Sequence, residues 1–196
     1  TLRGTIESTF RAGALARDRL ASDTWRVLNQ LQEQVLDFEL RQRLELQDAL
    51  ESLNRLVLGF SAFSGLVMEN MTRGPGWRFA DIGRRIERAF HVVRLTRSTL
   101  VDAEDSATFD GILEVVDSTI TYRSRYRGLV AFEAVLDLVL TDDTNPRSVA
   151  YQLVAIDEHL KHLPRAERNA TLSPATRTAL RSLTSVRLAD WSVLAR

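Results

Sequence analysis

Apolar residues in this chain recur at alternating spacings of three and four, over stretches too long for any ordinary strand. Leu46, Leu50, Leu53, Val57, Phe60, Ser64, Val67 and Met71 follow that rule, and Phe79, Ile82, Ile86, Ala89, Val93, Thr96 and Leu100 repeat it after a short break. Such spacing collects residues on one face of an α-helix, whereas a strand gathers every second residue. No segment alternates with period two over a useful length. The expectation is an all-α, single-domain helical bundle of about six or seven helices, with long antiparallel helices and one domain over residues 1–196. The first seam is expected to face a neighbouring helix, which Gly59, Ser61, Ala62, Ser64 and Gly65 would let approach closely.

Composition removes several partners. The 26 basic and 26 acidic residues leave no formal net charge, hence no field to steer nucleic acid or an anionic membrane. Cysteine is absent, which excludes disulfides, thiolate ligands and cysteine nucleophiles. No apolar run approaches the ~20 residues that span a bilayer. A bacterial cytoplasmic location is the default expectation, and a homo-oligomer stays open. The opening Thr1 suggests that the true start precedes it. Lys161 is the only lysine among the basic residues. A GC-rich genome explains that bias, so position must decide which arginines matter.

The stretch from Gly74 to Leu100 concentrates the charge. The Gly74-Pro75-Gly76 turn delivers Trp77 to a helix start, with Glu69, Asn70 and Arg73 just before it. Asp81, Arg84, Arg85, Glu87 and Arg88 then lie between the apolar positions. Asp81 to Arg85 is an i,i+4 pair and Arg84 to Glu87 an i,i+3 pair, which a solvated, salt-bridged face would use. A sharper reading makes Arg84, Glu87 and Arg88 a polar seam that holds an anion or a partner.

Further on, Phe109, Leu113, Val116 and Ile120 begin an apolar face that should continue near 123, 124 and 127. Arg123, Ser124 and Arg127 stand there instead, flanked by Tyr122 and Tyr126, and apolar residues resume only at Leu129, Phe132, Leu136 and Leu140. Either the helix kinks near Gly128, or arginine and tyrosine point inward and need partners such as Asp117, Asp81, Glu69 or Glu87. Asn145 before Pro146 reads as an N-cap followed by proline at the first helical position. The N–H groups of that helix start, with Arg147 and Ser148, could cradle an anion, unless Asp142 and Asp143 neutralise Arg147. Ser173 and Pro174 announce another helix start, and Ser22 an earlier one.

Known chemistries fit poorly. A di-metal carboxylate bundle requires Glu-x-x-His on two helices, and none occurs; Glu87 with His91, and Glu158 with His159 and His162, come nearest. There is no strand-turn-helix nucleophile elbow and no Walker or dinucleotide glycine loop. No cofactor and no metal are expected.

Four blocks in order, ARDRLASDTWRVLNQL, MENMTRGPGWRFADIGRRIERA, EVVDSTITYRSRY and DDTNPRSVAYQL, resemble the signature blocks of the bacterial alpha-E domain family. The resemblance runs from about Ala16 to Leu153 and covers that family's C-terminal two-thirds. Members usually open with a helix carrying a second copy of the pattern found here at Trp77 to Ala89, which this chain lacks. The resemblance implies an all-helical domain of unsettled biochemical function, typically beside or fused to circularly permuted ATP-grasp ligases, in making or modifying a peptide or amide-linked metabolite. It carries over to Arg17, Asp18, Trp25, Arg73, Trp77, Asp81, Arg84, Glu87, Arg88, Asp117, Tyr122, Arg123, Arg125, Asn145, Arg147 and Ser148. From Arg73 onward these are the candidate binding residues. The leading expectation is an accessory domain working with an ATP-grasp-type amide ligase, with a peptide or small-molecule anion as ligand. The alternatives are an autonomous enzyme or carboxylate-binding domain using a buried Arg/Glu/Tyr pocket, and a purely structural scaffold whose charges fix helix register.

Overall fold

The computed structural model describes residues 2–40, 45–100, 106–164 and 172–191. Those residues form nine α-helices and no strand: α1 (Leu2–Leu15), α2 (Ser22–Leu40), α3 (Leu46–Asn70), α4 (Pro75–Leu100), α5 (Ser106–Val115), α6 (Thr119–Arg125), α7 (Phe132–Leu136), α8 (Val149–Lys161) and α9 (Pro174–Arg187). The all-α expectation holds. The count exceeds six or seven because the segment from Ser106 to Thr141 is broken into pieces. Contacts divide the chain into two compact units, Thr1–Trp77 and Arg78–Arg196.

In the first unit α2 packs on both α1 and α3. Ile6, Leu31, Val35 and Leu56 are its buried centre, with Val27, Phe60 and Phe63 against them. The Phe10 and Trp25 rings lie 5.3 Å apart and tie α1 to α2. The predicted seam of α3 is turned the other way over its first half. Leu46 is 75% exposed and Val57 63%, while Ser52 and Leu56 are buried. Two apolar stripes run along this helix, and periodicity cannot say which one meets a neighbour. The close approach expected at Gly59 is real: a Cβ there would sit 2.6 Å from Cδ2 of the buried Leu31. Gly59→Val is therefore expected to lower stability by about 1–3 kcal/mol through overpacking, read as a lower urea midpoint at unchanged slope.

The second unit is centred on Leu113, Val135, Leu138, Val139 and Val149, joined by Val92 of α4 and Tyr122 of α6. Of the two outcomes posed at Tyr122–Gly128, the break is the one observed. The helix ends at Arg125, and Gly128 takes a φ of +119°, in the left-handed region that glycine alone enters at no steric cost. Tyr122 goes inward, and its hydroxyl accepts the Ala131 N–H at 3.0 Å. Arg123 and Arg127 stay outside. After α7 the chain opens into a π-helical turn, Asp137–Thr141, closed by Asp142 N–H donating to the Asp137 carbonyl at 2.9 Å. Three successive residues in it, Leu138, Val139 and Leu140, are buried.

The starts of α8 and α9 separate two cap readings. Ser173 caps α9 as expected, accepting the Thr176 N–H at 3.1 Å with Pro174 in the first turn. The cap of α8 is Ser148, which accepts the Tyr151 N–H at 3.0 Å, and not Asn145. Asn145 instead turns the chain three residues earlier. Its side-chain oxygen accepts the Arg147 N–H at 3.1 Å, the bond of an Asx turn.

Candidate functional site

Along α4, Asp81, Arg84, Arg85, Arg88 and Val92 share one face, and that charged face is the one packed into the second unit. The apolar stripe is the exposed one, with Phe79 at 62%, Ile86 at 52% and Phe90 at 58%. The solvated-face reading of these charges is thus reversed. The reason is Asp81, whose side chain is only 1% exposed. A buried carboxylate must be met by donors. Arg84 donates to its Oδ1 from Nε at 3.1 Å and also from Nη2; Arg85 Nε reaches Oδ2 at 2.6 Å, and His159 Nε2 lies 2.7 Å from the same oxygen. Burial raises the Asp81 pKa, but these hydrogen bonds outweigh it and hold the carboxyl down at about 2. Arg85 goes on to Gln152 Oε1 at 3.3 Å, and its guanidinium lies 5.6 Å from the Tyr151 ring centroid. Arg78 reaches the other ring nitrogen of His159 at 3.2 Å.

Arg88 follows one turn after Arg84 and is half-buried. Among the described residues it has no hydrogen bond and no ion pair. Both Asp81 oxygens are already taken. Burial lowers its pKa first, and the nearby charges of Arg147, Arg84 and Arg85 lower it further, with only Asp81 opposing them. Arg147 donates to Asp117 at 2.5 Å, and that carboxylate is 77% exposed.

The stretch Asp142–Ser148 carries Arg147 and is tied down along its length. Arg125 of α6 pairs with Asp142 and donates to Thr144 Oγ1 at 2.7 Å. Arg187 of α9 pairs with Asp143 at 2.8 Å. The Asn145 amide donates to the Leu138 carbonyl at 3.0 Å and to Ser118 Oγ at 3.3 Å. The Ser148 hydroxyl donates to the Asp142 carbonyl at 2.5 Å. Neither Asp142 nor Asp143 neutralises Arg147.

The sequence-derived candidates therefore fall into groups. Asp81, Arg84, Arg88, Arg147 and Asp117 form one constellation, and Arg125, Asn145 and Ser148 brace the stretch beneath it. Glu87, next to Arg88 but about 100° round the helix, is exposed. Tyr122 is turned into the core and Arg123 is exposed, and among the described residues no hydrogen bond or ion pair joins either of them to that constellation. Arg73 and Trp77 belong to the first unit, where the Arg73 guanidinium stacks 4.4 Å above the Trp77 ring; Arg17 lies 5.3 Å from the Trp25 ring there, and Asp18 pairs with Arg19. Arg78, Arg85, Gln152 and His159 were missing from the set. Gln152 and His159 lie seven apart on α8, two turns on one face, which a search for polar residues at core spacing would have found. His159 and His162 are spoken for by Asp81 and Glu158. No group of side chains able to hold a metal ion occurs among the described residues. No helix there is long and apolar enough to cross a membrane.

A chain whose described residues form helices and no strand, with an arginine-lined polar face held by one buried carboxylate, defines a class, that of helical domains with a built-in charged seam. The chain belongs to the Alpha-E family, described as a predicted alpha-helical domain with a conserved ER motif, and residues 1–195 match. The match extends beyond the four blocks at both ends. Glu87–Arg88 is the one ER pair among the described residues. Uncharacterized proteins of Mycobacterium bovis and Mycobacterium tuberculosis are each 34% identical over 167 residues, which is 82% of this chain. The matched region is 19% of their length, so the chain spans about a fifth of those relatives. No solved structure matches.

Proposed function

We propose that this domain is an accessory binding module that presents an anionic substrate group, of a peptide or small molecule, to an ATP-grasp-type amide ligase. The observation that carries the reading is Arg88: a half-buried guanidinium with no partner among the described residues, beside three others. A fork of donors kept partly out of water without an acceptor is costly for folding and suited to carboxylate or phosphate recognition. The ligase rests on the resemblance of the four sequence blocks. The greater length of the mycobacterial relatives supports it in that such a domain has further polypeptide to work with there.

Affinity capture of the tagged full-length protein from its own cells, at low salt, tests the partnership. The expected result is an ATP-grasp ligase recovered in fixed stoichiometry, with amide formation that slows when the helical protein is withdrawn. Recovery of the protein without a ligase, and a ligase indifferent to its presence, would overturn the reading.

A further inference from the structure

We infer that Arg88 and Arg147, with Arg84 beside them, form a site for a doubly charged tetrahedral oxyanion, a phosphate or phosphate monoester group, rather than for a lone carboxylate. This deepens the binding role proposed above and rests on it. Arg84 and Arg88 are four residues apart on α4 and lie on the same face. Arg147 comes from a different element, the stretch that enters α8, and α8 lies along α4 in the opposite sense: Asp81 meets His159 and Arg85 meets Gln152, so the next turn of α4, at Arg88, comes opposite the start of α8. A carboxylate is planar and is satisfied by one fork in its own plane. A phosphate offers three or four oxygens in different planes and can accept from both sides at once.

Charge points the same way. The charged groups around Arg88 are Arg84, Arg85 and Arg147, against Asp81, which is saturated by Arg84, Arg85 and His159, and Asp117, which is paired with Arg147. One negative charge would leave this cluster positive, and two come closer to balance. The 13-residue α8 begins directly after Arg147, with its N-terminus capped by Ser148, and adds the positive end of a helix dipole. Arg147 is also exchangeable. Its partner Asp117 is 77% exposed, and a solvent-screened pair of that kind holds weakly enough for an incoming anion to displace it.

The test is calorimetric titration of the intact protein with inorganic phosphate and, separately, with acetate at matched ionic strength. Phosphate is expected to bind at one saturable site, with acetate at least about tenfold weaker. Arg88→Gln is expected to weaken phosphate binding about tenfold to a hundredfold, the loss of a charged donor, and not to lower the thermal midpoint because Arg88 gives up no partner. Arg147→Gln should weaken it by a similar factor, whereas Arg123→Gln, on an exposed position, should not. Equal affinity for acetate and phosphate would overturn the dianion assignment. Unchanged phosphate binding in both Arg88→Gln and Arg147→Gln would overturn the site. Either failure is distinguishable from failure of the ligase partnership, which capture of the ligase by the wild-type chain reads without any phosphate titration.

Discussion

Asp81→Ala is expected to cost about 3–5 kcal/mol of stability, the characteristic penalty for removing one member of a buried ionic cluster. The carboxylate accepts from Arg84 and Arg85 and pairs with His159, and it is 1% exposed. Without it two guanidinium groups lose their shared acceptor, and Arg85, 15% exposed, is left half-committed to Gln152. A chemical denaturation curve at neutral pH would show the loss. A cost below about 1 kcal/mol would mean that water replaces the carboxylate freely. The same group sets an acid limb. Its folded pKa, about 2, lies below the ordinary 3.8, so its contribution is fully present above pH 3.8 and fades as pH falls from there through 2. By linkage that contribution is about 2 kcal/mol. The wild-type protein should therefore lose stability between pH 4 and pH 2 more steeply than Asp81→Ala does.

Asn145→Ala is the second large effect. Its side chain is buried, donates to the Leu138 carbonyl and Ser118 Oγ, and accepts the Arg147 N–H. Removing it strands a buried carbonyl and opens the turn, for about 2–4 kcal/mol when each orphaned group costs ~1–3 kcal/mol. The loss should also fall on the proposed anion site, because Arg147 is carried by that turn. Hydrogen exchange should show faster exchange at Arg147 and Ser148 while the amides of α1–α3 stay protected. Uniform loss of protection across both units would contradict a local brace.

Much of the architecture could be read from residue spacing, and the reasons for the exceptions are physical. Ser173 and Pro174 declare a helix start by local chemistry, and the structure has it there. The polar interruption at Arg123 and Arg127 left a break and an inward-pointing arginine and tyrosine equally open; the helix breaks, and of those side chains Tyr122 turns inward. The faces of α3 and α4 were misjudged because periodicity reports that apolar residues share a side, not that the side is covered. On α4 long-range contacts decide the matter: His159, seventy-eight positions away in sequence, meets Asp81, and Gln152 meets Arg85, on the charged face. Nothing within α4 encodes those meetings. The cap of α8 was misplaced for a local reason, since Asn145 and Ser148 are both good caps and the Asx turn claims the first. Of the candidate site, the arginines on α4 and Arg147 were legible one by one. Their convergence was not, because it depends on α4 and α8 being neighbours.

The π-helical turn at Asp137–Thr141 has a bearing on how this fold can change. A π turn holds one residue more than an α turn, so the last residue of this segment leaves it about 100° further round than an α-helical ending would place it. From that setting Asp142, Thr144 and Asn145 meet Arg125, Ser118 and Leu138. Deleting one residue from the turn is expected to move Asp142 away from Arg125 and loosen the stretch that carries Arg147, read as faster hydrogen exchange at Thr144 and Asn145. The extra residue makes no chemistry of its own, yet it sets the clock by which the rest of the site is aligned.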